Sequence, residues 1–420
     1  MGNLNFSSDG ASQIPSRHGS DSQAWAFMIR RVRPIPGLRV QENPALRDAY
    51  GAATLVGDPP MDALLQWMRD QGMRKTRPLF DQALNQGIEQ LEDAPAPLAA
   101  FFKMLETPPC WLDEEQLVRG SRAYAALGID AIYASRDFIL MGGYLSSSIN
   151  EVLARAGGLQ KGPTRRLAET ADWVMRVTAE GGMDRHAAGW KTTVELRLVH
   201  ALVRSRISNL PDWRTDRDGI AVNQTDMVVT YLGIAFAAVI GAMMLGRVVL
   251  SPADFRAILH LFKYVHWLLG VEEQFLCDDP AQCMERFINL LQVQPGPRPV
   301  CLQMAKALAD QPLSEAFAFP QGLRQRWVRT QHLSMNRFFL GREAMQKLEL
   351  DHHTLPWYPL LRWPGNALRS LSMRYLLPGG RDRLARHGRK QQQAYVDSLY
   401  GGSARQINPQ AIGVSAERVA

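Results

Sequence analysis

The stretch Lys191–Ile207, KTTVELRLVHALVRSRI, decides how the chain reads. Leu196, Val199, Val203 and Ile207 lie within one or two turns of His200 on its face, at the spacing of a core-facing helix. Arg197 and Arg204 stand three before and four after the histidine and flank it along the axis. A lone histidine on an apolar helical face is more often a hydrogen-bonded core residue than a ligand. An imidazole in an apolar wall with guanidinium groups above and below also meets the needs of a haem pocket: an axial nitrogen for iron, and cations for two propionates. From this helix alone both readings stand.

Working outward, the same helical periodicity continues in both directions. Upstream, Gly181-Gly182 separates this helix from one after Pro163 that carries Arg165, Arg166, Glu169 and Thr170 and runs to about Ala179. Before that, a long apolar helix is expected from Asp130 to Ala156, ended by Gly157-Gly158, and Asp113 is a plausible N-cap for a helix through Gly128. Downstream, MVVTYLGIAFAAVIGAMMLG (Met227–Gly246) has no charge in twenty residues. That length could span a bilayer, but glycine and alanine dilute it and no second such segment exists; a buried central helix is the favoured reading. An amphipathic helix with His260, His266 and Trp267 follows Ser251-Pro252, and further helices are divided by Pro295-Gly296-Pro297, Pro320, Pro356 and Pro364. No alternating apolar runs point to a sheet, so the fold class is all-α. The expected layout is a mobile tail over 1–22, an N-terminal helical extension over 23–107, a core over 108–292, a C-terminal helical extension over 293–400 and a disordered tail over 401–420.

Composition bounds the function. Hydrophobic residues at 46% and charged residues at 21% suit a folded chain with a large core. The net charge is +7, yet Pro320–Gln406 alone holds 15 Lys and Arg against 5 Asp and Glu. Such an end favours anionic lipid surfaces or acidic partners, if it is not simply a solvated face. Nucleic acid is not expected, since no reader motif or interleaved aromatics accompany the basic residues. Cys110, Cys277, Cys283 and Cys301 form no Cys-x-x-Cys, which removes zinc ribbons, iron–sulfur clusters and covalently attached haem. No export signal precedes Val40, and Arg30-Arg31 has no apolar run after it, so a cytoplasmic location is expected.

Other chemistry finds little support. A carboxylate-bridged di-iron site wants two Glu-x-x-His pairs, and only Glu349–His352 exists. His260 and His266 are six apart and point to different faces; no Gly-x-Ser-x-Gly elbow is present. His200 is therefore the best metal-ligand candidate. Arg166 and Thr170, four apart, share a face with Glu169 beside them, either as a surface ion-pair patch or as the polar side of a site.

In their order the motifs resemble those of the latex clearing protein (rubber oxygenase) and MpaB-type oxygenase family. The resemblance runs from Pro109-x-Trp111-x-Asp113 and Arg119-Gly120 through Arg166-Leu167-x-Glu169-Thr170 and Arg197-Leu198-x-His200-Ala201-x-x-Arg204. It continues through Gly219-x-x-x-Asn223-Gln224-x-Asp226-x-x-x-Thr230 and closes with Gly241, Gly246 and Trp267-x-x-Gly270. It implies a globin-like helical core holding haem b non-covalently, with His200 as proximal iron ligand and Arg166 and Thr170 on the distal side. Where rubber oxygenases carry lysine, this chain has Glu169, which would pair with Arg166 or accept a proton; Glu151 is a weaker counterpart of a second acidic residue. The implied reaction takes dioxygen and a small unsaturated apolar substrate, isoprenoid or lipid, to carbonyl products. Two rivals share the helices without the chemistry: a haem carrier or sensor, and a membrane-attached protein anchored by 227–246 with its basic C-terminal region on the lipid.

Overall fold

A computed structural model describes residues 14–19, 42–248 and 250–401, and among them there is no strand. The chain is all-α. One large apolar core unites helices from both ends of the sequence, from Leu46 to Leu350.

The apolar segment is the axle of this core. It begins as an α-helix at Gln224, passes through a π-helical turn at Gly233–Ala237 and resumes as α-helix to Gly246. It is long and apolar enough to cross a membrane, but 72% of its most apolar window is buried inside the protein. Small residues bring it close to the segment from Ile129 to Gly143: a Cβ on Gly241 would lie 3.0 Å from Phe138 and 3.1 Å from Ala134. A central helix apolar on every face is what a large helical core requires.

Three expectations need correction. The helix expected over 130–156 is interrupted: a π-helical turn at Ser135–Leu140 buries Arg136 and Asp137, and the chain breaks at Tyr144–Ser146 before a new helix, Ser147–Arg155. Arg136 and Asp137 pair inside the core, and His332 reaches the same carboxylate at 2.7 Å. Pro364 divides nothing, since it lies within the helix Trp357–Leu371. Of the expected N-terminal tail, residues 14–19 are docked: Arg17 is 5% exposed, ion-paired to Asp226 at 3.0 Å, and the backbone of Ser16 donates to Asp216. The expected tail at 401–420 lies, beyond Gly401, outside the described residues, as do 1–13 and 20–41.

Several of the motifs prove to be joints. Asp113 caps the helix Glu114–Ala125, and its backbone N–H donates to His260. Gly120 lets that helix cross the helix Pro252–Leu268 at contact, because a Cβ there would sit 2.3 Å from the carbonyl oxygen of Ala257; Arg119 ties the crossing to Asp254. Asn223 caps the apolar helix through Asp226, and Gln224 bridges the carbonyls of Gly57 and Gly270 and the N–H of Glu272.

Candidate active site: a cleft between two antiparallel helices

The helix Ala188–Ser208 carries His200, and the helix Gly158–Val177 carries Arg166. A short turn joins them into a hairpin. At its closed end Gly189 lies against Val177, with no room for a side chain: a Cβ would be 2.8 Å from the Val177 Cα. One turn on, the Trp173 indole donates to the Thr193 hydroxyl at 3.1 Å. These two contacts fix an antiparallel register. Continued along the helices, it sets Thr170 level with Leu196, and Arg166 level with His200. The facing stripes are thus Gly189, Thr193, Leu196, His200 and Val177, Trp173, Thr170, Arg166, each at i, i+4, i+7, i+11.

Burial changes along that stripe. Trp173 and Thr193 are 5% and 0% exposed. Beyond them Leu196, His200 and Arg166 are only half-buried, and Thr170 is exposed. Burial along the helix pair therefore fades from the closed end toward Arg166 and His200. Apolar side chains wall the opening: Val199 and Val203 from the His200 helix and Val152 from Ser147–Arg155 form a small cluster separate from the main core, with Leu196 and Ala156 packed against it.

His200 is held neutral. Desolvation, then the nearby Arg204 cation, lowers its pKa from 6.5 to about 4. Its Nδ1 is buried with no hydrogen-bond partner among the described residues. A neutral imidazole with an uncommitted nitrogen is what an axial ligand must be. Sequence reasoning set aside His266, which the structure places fully buried against Trp173 and Tyr231; burial holds it also to about 4. Its Nδ1 bonds the Phe262 carbonyl at 2.9 Å, and its Nε2 has no partner among the described residues. The only sequence signal for it was an imidazole inside an apolar helix.

These two rings make a pH prediction. In the unfolded chain each titrates near 6.5; in the folded chain each resists protonation down to about 4. Stability from both is fully present above the unfolded value and is lost as pH falls from 6.5 toward 4, at up to about 3 kcal/mol for a fully buried ring. Urea midpoints should be flat near neutrality and fall through this window, less steeply in His266→Phe; an unchanged slope in that variant would contradict neutral burial.

The arginines flanking His200 do something other than expected. Arg197 forks onto Asp58, with Nε and Nη2 at 2.7 and 2.8 Å, and donates to the Leu268 carbonyl. Arg204 grips Asp62 at 2.8–3.0 Å and donates to the Val222 carbonyl. Both carboxylates sit at the start of the helix Pro59–Asp70, so two ion pairs strap that helix to the His200 helix. Gly270 (φ 96°) makes room, since a Cβ there would lie 2.5 Å from Asp58. Each guanidinium is thus engaged by a carboxylate and a carbonyl of the protein, and the two pairs fix the helix that bears His200.

On the facing helix, the Arg166 cation lies near the Tyr144 phenol, which is 1% exposed; burial raises the pKa of that phenol and Arg166 offsets part of the rise. Glu169 pairs with Arg165 at 2.9 Å rather than with Arg166, and Arg165 lies over the Tyr400 ring. The Glu169 carboxylate is thereby drawn toward the C-terminal helix Gly380–Tyr400 and off the stripe that faces His200. Glu151 approaches Arg298 at 3.7 Å. Among the described residues no cluster of three or more His, Cys, Asp or Glu could hold a metal by itself. A recess of about 430 Å³ at the hairpin turn, lined by Asp172, Arg176 and Glu180, opens off another face of the Arg166 helix.

A half-buried neutral histidine on one helix, with an arginine and a threonine on the helix packed antiparallel to it, marks the candidate site. Residues 132–372 match the family described as "ER-bound oxygenase mpaB/B'/Rubber oxygenase, catalytic domain", and the chain belongs to that family. The match passes the core limit expected at 292 and takes in much of the C-terminal extension. The rubber oxygenase of Streptomyces sp. (strain K30) is 29% identical over 224 residues, covering 52% of this chain and 50% of that protein. The chain thus matches about half the length of this curated relative. A solved structure of latex clearing protein LCP in the closed state superposes with a TM-score of 0.60 at 22% identity, over 81% of this chain and 91% of the other, and shows the shared fold.

Proposed function

We propose that the protein is an oxygenase that binds haem b non-covalently at His200 and directs dioxygen onto a double bond of a small apolar substrate, isoprenoid or lipid. The observation that carries this reading is a neutral His200, its buried Nδ1 without a hydrogen-bond partner among the described residues, on a helix packed antiparallel to the one that bears Arg166 and Thr170. The residues fit the group on the axial side: a desolvated imidazole, and apolar walls from Leu196, Val199 and Val203. They do not fit the propionate role at Arg197 and Arg204, whose donors are already taken by Asp58 and Asp62.

When bound, haem supplies the iron chemistry of dioxygen. The chain's own contribution is positional. The straps from Asp58 and Asp62 hold the His200 helix at fixed rotation. Arg166, whose guanidinium lies near the buried Tyr144 phenol, and the Thr170 hydroxyl are the hydrogen-bond donors on the stripe facing His200. The apolar walls exclude water and accept a hydrocarbon chain. Glu169 pairs with Arg165 on its own helix.

The test is oxygen uptake by haem-loaded protein given short isoprenoids or unsaturated lipids, with carbonyl products trapped by hydrazine reagents. Uptake matched by carbonyl formation supports the reading. Haem-loaded protein that takes up no oxygen with any such substrate would leave a haem carrier instead.

A further inference from the structure

Large exposed apolar side chains are concentrated on one part of the surface. Along the helix Trp357–Leu371, Leu360, Leu361, Leu368 and Leu371 fall on one stripe and are 49%, 69%, 72% and 53% exposed. Trp357 at its start packs against Trp327, the rings tilted at 52° with centroids 4.9 Å apart. Through that contact the stripe continues onto the helix beginning at Gln321, where Trp327 and Leu323 are 57% and 67% exposed. Leu376 and Leu377 extend it at the other end, at 77% and 43%. Water-soluble surfaces seldom expose so much contiguous leucine without a partner.

Basic residues border both ends. Arg324 and Arg326 are exposed on the turn of Leu323 and Trp327; Arg381, Arg383 and Arg386 are exposed just after Leu377. No carboxylate pairs with these five among the described residues. A leucine stripe with tryptophan at its edge and arginine at both ends has the make-up of a surface that lies in a membrane interface. The same borders disfavour a second copy of the chain, because a two-fold pairing across the stripe would set arginine against arginine.

We infer that the face formed by Trp357–Leu371 and the start of the Gln321 helix docks on an anionic lipid surface, its leucines entering the acyl boundary and its arginines meeting the headgroups. This is a peripheral contact, separate from the apolar helix Gln224–Gly246, which is spent on the core. It stands independently of the haem chemistry proposed above.

Cosedimentation of the full chain with vesicles tests it. Vesicles of phosphatidylcholine with about one third phosphatidylserine should carry the protein down, and neutral phosphatidylcholine vesicles or added salt should weaken this severalfold. Leu361→Glu/Leu368→Glu should weaken binding about tenfold or more, and Arg324→Glu/Arg326→Glu should remove the preference for the anionic lipid. All four positions are exposed, so an unchanged far-ultraviolet circular dichroism spectrum shows that the fold survives. Absence of binding to either vesicle, or binding indifferent to the leucine pair, would overturn the inference. So would a concentration-dependent dimer abolished by Leu361→Glu/Leu368→Glu, which would assign the face to a second copy.

Discussion

Arg166→Ala should take up oxygen about 10²-fold more slowly than the wild type while retaining its haem. A positioned donor on the reacting side of an enclosed site typically contributes on that order. The side chain lies near the buried Tyr144 phenol and belongs to the helix facing that of His200, so its loss removes a charge from the proposed site without changing the His200 helix. Arg166→Lys keeps the charge but not the forked geometry and should recover only part of the rate. Thr170→Ala, at the exposed end of the stripe, should cost less than Arg166→Ala. If Arg166→Ala consumes oxygen as fast as the wild type, the facing stripes do not form the reacting site.

The second large effect is on stability. Arg197→Ala should lower the unfolding free energy by about 3–5 kcal/mol, because it leaves the Asp58 carboxylate buried without its cation. The pair is enclosed on both sides, at 6% and 3% side-chain exposure, and bidentate. Arg197→Ala/Asp58→Ala should cost clearly less than the sum of the two single changes, since the double variant removes the stranded charge. Urea unfolding of the four proteins measures this. Additive losses would mean that the two groups act separately and that the strap is not what holds the His200 helix.

The helical class was readable because apolar spacing is local. So was the His200 stripe, with Leu196, Val203 and Ile207 on its flank. The cap at Asp113 and the burial of 227–246 were readable for the same reason. What a distant partner decides was not. Arg197 and Arg204 are adjacent to His200 in sequence, and their assignment to haem ignored Asp58 and Asp62, more than 130 residues away. Glu169 had two arginines in helical reach, and the i, i+4 geometry of Arg165 won over the adjacent Arg166. The π-helical turn in the 130–156 segment holds the buried ion pair Arg136–Asp137, which a pattern of apolar spacing does not register. Glycines such as Gly120, Gly189 and Gly270 serve as contact points where another backbone or a carboxylate passes, which a sequence does not state. The fading of burial from Trp173 to Thr170 along the helix pair depends on how the two helices pack, which no local pattern states.

One bond carries the account: iron to His200. The direct measurement is the absorption spectrum of haem-supplemented protein, with haem counted by pyridine haemochrome, for wild type and His200→Ala. The account predicts a Soret band and about one haem b per chain in the wild type, and loss or marked shift of that band in His200→Ala with the helical circular dichroism intact. A wild type that binds no haem, or a His200→Ala protein with the same spectrum and the same haem content, would contradict it.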